Sequence, residues 1–257
     1  MTSEARTLDY GERGTVLVVP DGDALAEMAA NLLLTVAQEA DSGGGKALVA
    51  LSGGSTPKKM GQLLATEPLR SKVPWSGLEV FWGDERWVPL DDAESNAGEA
   101  KRGFLDIVPI PESQVHPFVT EGVEPEQSAS DMESTIAGIN GGRFDLVLLG
   151  MGDDGHTASL FPGTAAIHET ERQVVSHWVD KLNTTRLTFT PPLINAAQTV
   201  AFLAGGAGKA EMLSNVLDSP IDVDTFPSQV VRPSSGNLIW IVDEAAAANL
   251  ERNDSRG

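Results

Sequence analysis

Short apolar runs alternate with segments of helical period along almost the whole chain. Four of these runs are rich in Val, Leu and Ala, which is typical of buried strands, and they lie at 15–20, 46–54, 78–85 and 144–152. The segments between them repeat apolar residues at spacings of three and four, which predicts helices at 22–40, 56–67, 95–108 and 125–139. Apolar strands that alternate with helices are typical of a mostly parallel sheet covered on both faces. The pattern therefore predicts an α/β fold.

The second part of the chain continues this pattern after a looser stretch. It contains two weakly alternating strands, two strongly apolar strands and two helices, predicted at 173–180, 184–191, 198–206, 237–243, 208–218 and 244–251. No linker rich in Pro and Gly divides the chain, so we expect a single α/β domain over residues 1–257. The polar residues 251–257 are expected to form a disordered tail.

Composition and charge limit the partners that fit. The 257 residues include no cysteine, which excludes disulfides and thiolate chemistry and makes a reducing cytoplasm the expected compartment. The sequence has no recognisable secretory signal, and no apolar run reaches the ~20 residues of a transmembrane helix. The formal charge of −19, from 18 basic and 37 acidic residues, disfavours nucleic acid and membranes as partners. A small anionic substrate would therefore need a local cluster of cations and hydrogen-bond donors.

The loop after the fourth strand has the spacing Gly150-x-Gly152-x-x-Gly155, which is also found in dinucleotide-binding turns. Asp153 and Asp154 would face the pyrophosphate of such a cofactor, so the chemistry disfavours dinucleotide binding. His156 follows at the end of the turn, beside Asp154, and this pair is suited to proton transfer near neutral pH. The alternative is a structural histidine that caps the next helix.

A second loop, LSGGSTP, follows the strand at 46–54. Gly53 and Gly54 expose backbone N–H groups, Ser55 and Thr56 add hydroxyl groups, and a helix begins there. Together these features predict a pocket for one phosphate, because helix N-termini and bare N–H groups attract anions. A simple glycine turn with a Ser/Thr cap is the alternative. The order of residues differs from a nucleophile elbow, which disfavours a serine hydrolase.

Three cations stand near the predicted strand ends in this acidic chain. Arg86 follows Asp84 and Glu85, and it could hold a carboxylate, a phosphate or a developing oxyanion, or simply pair with one of these two acids. Lys209 lies at a glycine-rich helix start, and Arg186 lies beside an apolar strand. Each could be an ordinary surface charge, but their convergence on a few loops favours an anion pocket.

The remaining histidines give no metal-binding pattern. His116, His168 and His177 are expected to be surface or packing residues, because neither their neighbours nor their spacing suggests chemistry. No two histidines stand at a spacing typical of zinc ligands on a helix or strand. We therefore expect no intrinsic metal site.

Several motifs together resemble those of the 6-phosphogluconolactonases, and they are LSGGSTP, WGDERWVP, SNAGEAKRGFLD, LLGMGDDGHTASLFPG and GAGKAEML. The resemblance covers roughly residues 15–245. It implies a Rossmann-like three-layer α/β/α fold with a mostly parallel central sheet, related to glucosamine-6-phosphate deaminase and ribose-5-phosphate isomerase. It also implies hydrolysis of 6-phospho-D-glucono-1,5-lactone to 6-phospho-D-gluconate in the oxidative pentose phosphate pathway, with no cofactor.

Two other functions stay open from the sequence. The related deaminases share the SGGSTP loop, but their loop pattern would put a glutamate at Phe161, and a phenylalanine cannot act as an acid or base. A catalytically silent sugar-phosphate sensor would keep Ser55 and Lys209 without needing His156. Residue 161 therefore disfavours deamination, and the role of His156 separates an enzyme from a sensor.

The expected mechanism divides the site into a phosphate grip and a proton-transfer group. Gly53, Gly54, Ser55, Thr56, Lys209 and Arg186 are expected to hold the phosphate of the sugar lactone. His156 is expected to activate a water as general base, oriented by Asp154 or Asp84, while Arg86 or loop N–H groups stabilise the oxyanion. The protein is expected to act in the cytoplasm as a monomer or a weak homodimer.

Overall fold

The computed structural model describes residues 5–250, and two β-sheets organise this part of the chain. Its strands are β1 (Arg6–Asp9), β2 (Thr15–Val19), β3 (Ala47–Leu51), β4 (Leu78–Trp82), β5 (Asp84–Arg86), β6 (Leu146–Gly150), β7 (Val174–Val179), β8 (Thr184–Phe189), β9 (Thr199–Ala204) and β10 (Asn237–Asp243). The main sheet has the order β1-β2-β10-β9-β6-β3-β4, and the smaller sheet has the order β5-β8-β7. All pairings in the main sheet are parallel except that of β1 with β2, and the smaller sheet is antiparallel.

Helices cover both faces of the main sheet. They are α1 (Gly22–Ser42), α2 (Ser55–Leu64), α3 (Leu69–Lys72), α4 (Asn96–Ala100), α5 (Pro125–Ala137), α6 (Pro191–Asn195) and α7 (Ala210–Asp218). Residues of α1 and α2 pack into one hydrophobic cluster, and residues of α5 and α7 pack into another. This arrangement confirms the predicted three-layer α/β/α fold with a mostly parallel central sheet. In the described part of the chain, no helix is long and apolar enough to cross a bilayer.

Strand β6 shows why the central strands read as continuous apolar runs. Successive side chains point to opposite faces, so Val147 and Leu149 join the α5/α7 side while Leu146 and Leu148 join the α1/α2 side. All four are fully buried. Since neither face meets water, every position in such a strand is apolar.

The predicted strand at 78–85 is wrong in its extent. It divides at Gly83, whose N–H donates to the carbonyl of Leu51 at 2.9 Å and whose carbonyl accepts from Phe189 at 2.8 Å. The chain thus leaves the main sheet after β4 and enters the smaller sheet as β5. An apolar pattern cannot reveal such a change of partner, because both strands are largely buried.

Other boundaries also differ from the predictions. The helix predicted at 95–108 is the short α4 followed by one π-helical stretch, Lys101–Leu105. The helix predicted at 244–251 is a 3₁₀ turn, Ala246–Asn249, whose first N–H is held by the carboxylate of Asp243 at 2.8 Å. The predicted tail at 251–257 lies outside the described residues. The interpretation of the chain as one domain stays a prediction.

A buried carboxylate, that of Glu85, joins β5 to the start of α4. It accepts hydrogen bonds from the backbone N–H groups of Arg86, Asn96 and Ala97, each at 2.8 Å, and from the hydroxyl of Ser95 at 3.1 Å. Burial raises the pKa of Glu85, and these backbone N–H groups act in the opposite direction. The contact fixes where α4 begins, and with it the side chain of Asn96.

We expect Glu85→Ala to lower the free energy of unfolding by about 3 kcal/mol, because it leaves several buried donors without an acceptor. Chemical denaturation monitored by circular dichroism measures this change. Glu121→Ala is the matched control, since Glu121 is exposed, and it should change stability by less than ~0.5 kcal/mol. Equal stability of the two variants would contradict the anchoring role of Glu85.

Candidate active site

A cavity of about 410 Å³ opens at the edge of the main sheet where β3, β4 and β6 end. Its wall includes residues from the loops after β3 and β6 and from the smaller sheet, namely Gly53, Asp84, Arg86, Asp154, His156 and Arg186. Six of the ten predicted site residues therefore share one cavity. This is the position in which open parallel sheets bind ligands.

The other four predicted residues lie outside the cavity wall. Gly54, with φ of 110°, precedes α2, and Ser55 and Thr56 form its first turn, so their N–H groups belong to a helix start. Lys209 forms an ion pair with Asp153, and Asp153 does line the cavity. These residues are thus neighbours of the cavity rather than parts of its surface.

His156 and Asp154 form a close pair inside the cavity. Nδ1 of His156 lies 2.5 Å from Oδ1 of Asp154, and Lys181 contacts the other carboxylate oxygen at 2.6 Å. The Phe161 ring stacks on the imidazole with a centroid distance of 4.2 Å. A side chain at Gly152 would overlap the imidazole, which explains why a glycine stands at this position of the turn.

The environment of Asp154 keeps its carboxylate ionised. Burial alone would raise the pKa of Asp154, but the hydrogen bonds from Lys181 and His156 hold this pKa well below its usual range. A carboxylate that stays charged accepts a hydrogen bond from a protonated Nδ1 of His156. Nε2 of the neutral imidazole is then unprotonated and able to accept a proton.

Asp84, the other acid considered as a partner for His156, has different contacts. Its carboxylate accepts from the Ser159 hydroxyl at 2.7 Å and from the Asn96 carboxamide at 3.4 Å. The Asn96 side chain in turn lies against Gly53, where a Cβ atom would overlap it. Asp84 therefore organises the floor of the cavity and does not contact His156.

Two arginines face each other on the small sheet. The register of β5 and β8 pairs Arg86 with Arg186, and the Nε atom of each is buried without a partner in the described part of the chain. Arg86 donates to the carbonyl of Glu94 at 2.6 Å, and within residues 5–250 it forms no ion pair with Asp84 or Glu85. Burial lowers the pKa of Arg186, and the charge of Arg86 lowers it further. Two adjacent guanidinium groups with free donors are suited to bind an anion.

The other histidines have separate contacts. His116 stacks on Phe81 and lies 2.6 Å from Glu79, and the exposed His168 lies 2.7 Å from Asp224. His177 is half-buried, opposite Arg186 in the smaller sheet, and burial lowers its pKa. Among the described residues no group of three His, Asp or Glu side chains is arranged to hold a metal ion.

Five polar residues of the cavity were not predicted as site residues, and one of them is Asp153, which pairs with Lys209. Asn96 and Ser159 lie within motifs that carry the family resemblance, so the motifs contained a signal for them, but nothing in the sequence gave them a role. Ser52 directly precedes the glycine pair and has a buried hydroxyl without a hydrogen-bond partner in the described part of the chain. Lys181 comes from a hairpin turn 27 residues beyond Asp154, and no local pattern identifies it.

Known proteins resemble this chain in sequence and in fold. A family profile described as glucosamine-6-phosphate isomerases/6-phosphogluconolactonase matches residues 20–240. The 6-phosphogluconolactonase of Synechocystis is 43% identical over 80% of this chain and 85% of its own length. The structure of 6-phosphogluconolactonase from Trypanosoma cruzi is 31% identical, with a TM-score of 0.82 over 96% of this chain and 99% of that one. A monomeric glucosamine-6-phosphate deaminase, 20% identical with a TM-score of 0.78 over 91% of this chain and 99% of that one, shares the fold.

We expect Arg186→Met to separate stability from anion binding. Removal of one of two adjacent half-buried cations should raise the free energy of unfolding by about 1 kcal/mol. The increase in melting temperature that inorganic phosphate gives the wild type should be lost, because that increase requires binding to the folded state. Thermal unfolding with and without phosphate measures both effects.

Arg70→Met is the matched control for this experiment. Arg70 is an exposed arginine that donates to the carbonyl of Ile107 at 3.1 Å, so its loss should leave the phosphate effect unchanged. If phosphate stabilises Arg186→Met as much as it stabilises the wild type, Arg186 does not bind the anion.

Proposed function

The chain belongs to the family of glucosamine-6-phosphate isomerases and 6-phosphogluconolactonases, and we propose that it hydrolyses 6-phospho-D-glucono-1,5-lactone to 6-phospho-D-gluconate by general-base activation of water. This reaction belongs to the oxidative pentose phosphate pathway and needs no cofactor. One arrangement carries the proposal: the His156–Asp154 pair and the two guanidinium groups of Arg86 and Arg186 line the same cavity. A base and an anion-binding site in one cavity fit a lactone that carries a phosphate.

His156 acts as the general base. Because Nδ1 donates to Asp154, Nε2 accepts a proton from the water that attacks the C1 carbonyl of the lactone. The imidazolium then returns this proton to the ring oxygen of the lactone as the C1–O bond breaks. Asp154 stabilises the imidazolium while it carries the proton. General-base catalysis of this kind lowers the barrier by roughly 3–5.5 kcal/mol.

The cationic side of the cavity binds the phosphate and the developing oxyanion. We assign Arg186 and Lys209 to the phosphate, together with the turn formed by Gly53, Gly54, Ser55 and Thr56 at the start of α2. Arg86 is assigned to the oxyanion at C1. Lys209 is paired with Asp153, which lines the cavity, and this ion pair would have to open for Lys209 to contact the phosphate.

Phe161 favours lactone hydrolysis over deamination. Its ring stacks on His156, at the position where the deaminase pattern would have a glutamate. An aromatic ring there contributes no second acid or base, and lactone hydrolysis needs none, because one imidazole both takes and returns the proton.

The remaining assignments concern partners and compartment. The partner is a small phosphorylated sugar lactone, and the charge of −19 argues against nucleic acid and membranes. The lack of cysteine fits the cytoplasm. We propose a monomer or a weak homodimer as the active form.

The experiment that tests this function compares fresh 6-phosphogluconolactone with glucosamine-6-phosphate, measuring acid release and ammonia release. The wild type should hydrolyse the lactone faster than the uncatalysed reaction and should release no ammonia. His156→Ala should lose about 100-fold or more in kcat, because the general base is gone, while still binding the product 6-phosphogluconate.

His168→Ala is the matched control, since His168 also pairs with an aspartate but is exposed. This variant should keep wild-type kcat. Wild-type kcat in His156→Ala would contradict the base role. If neither substrate reacts and yet 6-phosphogluconate binds, the protein is a sugar-phosphate sensor and the proposed activity is wrong.

Lys209→Ala should raise KM for the lactone by about 10-fold and change kcat little, since a charge-assisted hydrogen bond to the phosphate contributes ~1.5–3 kcal/mol to binding. Steady-state kinetics measure this effect. Lys101→Ala, which breaks an ion pair with Asp106 outside the cavity, is the control. An unchanged KM in Lys209→Ala would remove Lys209 from the phosphate site.

A further inference from the structure

A lysine at the tip of the β7–β8 hairpin contacts the carboxylate that pairs with the general base. Lys181 lies in the turn Asp180–Leu182, and its Nζ is 2.6 Å from Oδ2 of Asp154. We propose that Lys181 is a positioning residue: it holds the far oxygen of Asp154 and offsets the charge of this carboxylate while the near oxygen contacts Nδ1 of His156, so that the imidazole remains a neutral base. This inference rests on the proposed function for its kinetic consequences, but the contact itself does not depend on the substrate.

The hairpin turn holds Lys181 in a defined place. Asn183 closes the turn in the left-handed conformation, with φ of 50° and ψ of 46°, and its N–H donates to the carbonyl of Asp180 at 3.1 Å. Asparagine is among the residues that adopt this conformation most readily. The antiparallel pairing of β7 with β8 continues up to the turn, from Val174–Phe189 to Val179–Thr184. The backbone of Lys181 is therefore fixed by the small sheet.

The Lys181–Asp154 contact is poorly placed to stabilise the fold. The Lys181 side chain is 65% exposed, and ion pairs of this exposure typically contribute ~0–1 kcal/mol to stability. The ammonium group acts directly on Asp154, because it occupies one of the two carboxylate oxygens. One of them accepts from the imidazole and the backbone N–H of His156, and the other accepts from Lys181.

The contact between Lys181 and Asp154 also forms part of the wall between two cavities. Asp154, Phe161 and Lys181 line both the site cavity and a second cleft of about 600 Å³ on the outer side of the hairpin. Without the ammonium group, the far oxygen of Asp154 would face that cleft. Asp154 would keep its contact with His156, but its far oxygen would be solvated and its charge would no longer be offset by an ammonium group.

Several charges act on the His156–Asp154 pair, and Lys181 is the cation in direct contact with it. Asp153 lies on the same loop and is itself paired with Lys209 from the start of α7. Arg86, Arg186 and Asp84 face the cavity from the small sheet. Because Lys181 offsets the charge of Asp154, it opposes proton uptake by His156, and its removal should favour the imidazolium form.

We expect Lys181→Met to move the acidic limb of the kcat/KM–pH profile to higher pH by about 0.5 units. At pH values below this limb, such a shift lowers the neutral fraction of His156, and hence the rate, by about 3-fold. The plateau value of kcat and the KM should stay within about 2-fold of the wild type, since the base itself remains. Lys181→Arg should restore the wild-type profile. Rates are taken after subtraction of the spontaneous hydrolysis of the lactone.

A matched control and a double variant make the result specific. Lys59 forms an exposed pair with Asp23, also at 2.6 Å, so Lys59→Met removes an equal charge outside the cavity and should leave the profile unchanged. In an Asp154→Asn background, the Lys181→Met shift should disappear, because Lys181 acts through Asp154. A profile that does not move in Lys181→Met overturns the proposal, and so does a large rise in KM with an unmoved profile, which would make Lys181 a substrate ligand.

Nuclear magnetic resonance separates this inference from the proposed activity. The pH titration of the His156 ring signals, assigned with His156→Ala, needs no turnover. If the protein does not hydrolyse the lactone but the His156 titration midpoint rises in Lys181→Met, the activity is wrong and the positioning role stands. If the lactone is hydrolysed and the midpoint does not move, the positioning role is wrong.

Discussion

The site depends on the parallel pairing of β3 with its neighbours β4 and β6. Parallel strands end at the same edge of a sheet, so the loops that follow Leu51, Trp82 and Gly150 are brought together whatever their separation along the chain. Near-continuous apolar side chains bury both faces of these strands and make the edge a rigid platform. The residues that bind and react can then stand on loops, which the sheet holds in fixed relation.

The small sheet adds to this edge a charge distribution that the main sheet cannot supply. Where the chain leaves the main sheet at Gly83, it carries Arg86 into register with Arg186. Two half-buried guanidinium groups side by side repel each other, and a bound anion would relieve this repulsion. Such an arrangement also explains how a chain with a charge of −19 can attract an anionic sugar: the local field in the cavity opposes the field of the whole surface.

The carboxylates in and beside the cavity have separate contacts. Glu85 is buried and serves the backbone at the start of α4, Asp84 holds Ser159 and Asn96, and Asp154 holds His156. These three carboxylates thus keep separate partners, because each accepts hydrogen bonds from different donors. The division leaves His156 with Asp154 as its carboxylate partner, which fits the proposed role of a general base.

The sequence by itself determined most of the strands and helices of the main sheet and the loops that line the cavity, and it placed Asp154 beside His156 as one of two candidate partners. All of these are local. The spacing of apolar residues along a strand or helix reflects which of its faces are buried, and two residues in one tight turn are neighbours in any fold. Only the tertiary structure decided that Arg86 stands opposite Arg186, that Asn96 lies on Gly53, that Lys181 reaches Asp154, and that β5 leaves the main sheet. These contacts join segments far apart in the chain through strand register and hairpin position, and register is set by the packing of the whole sheet rather than by any one segment.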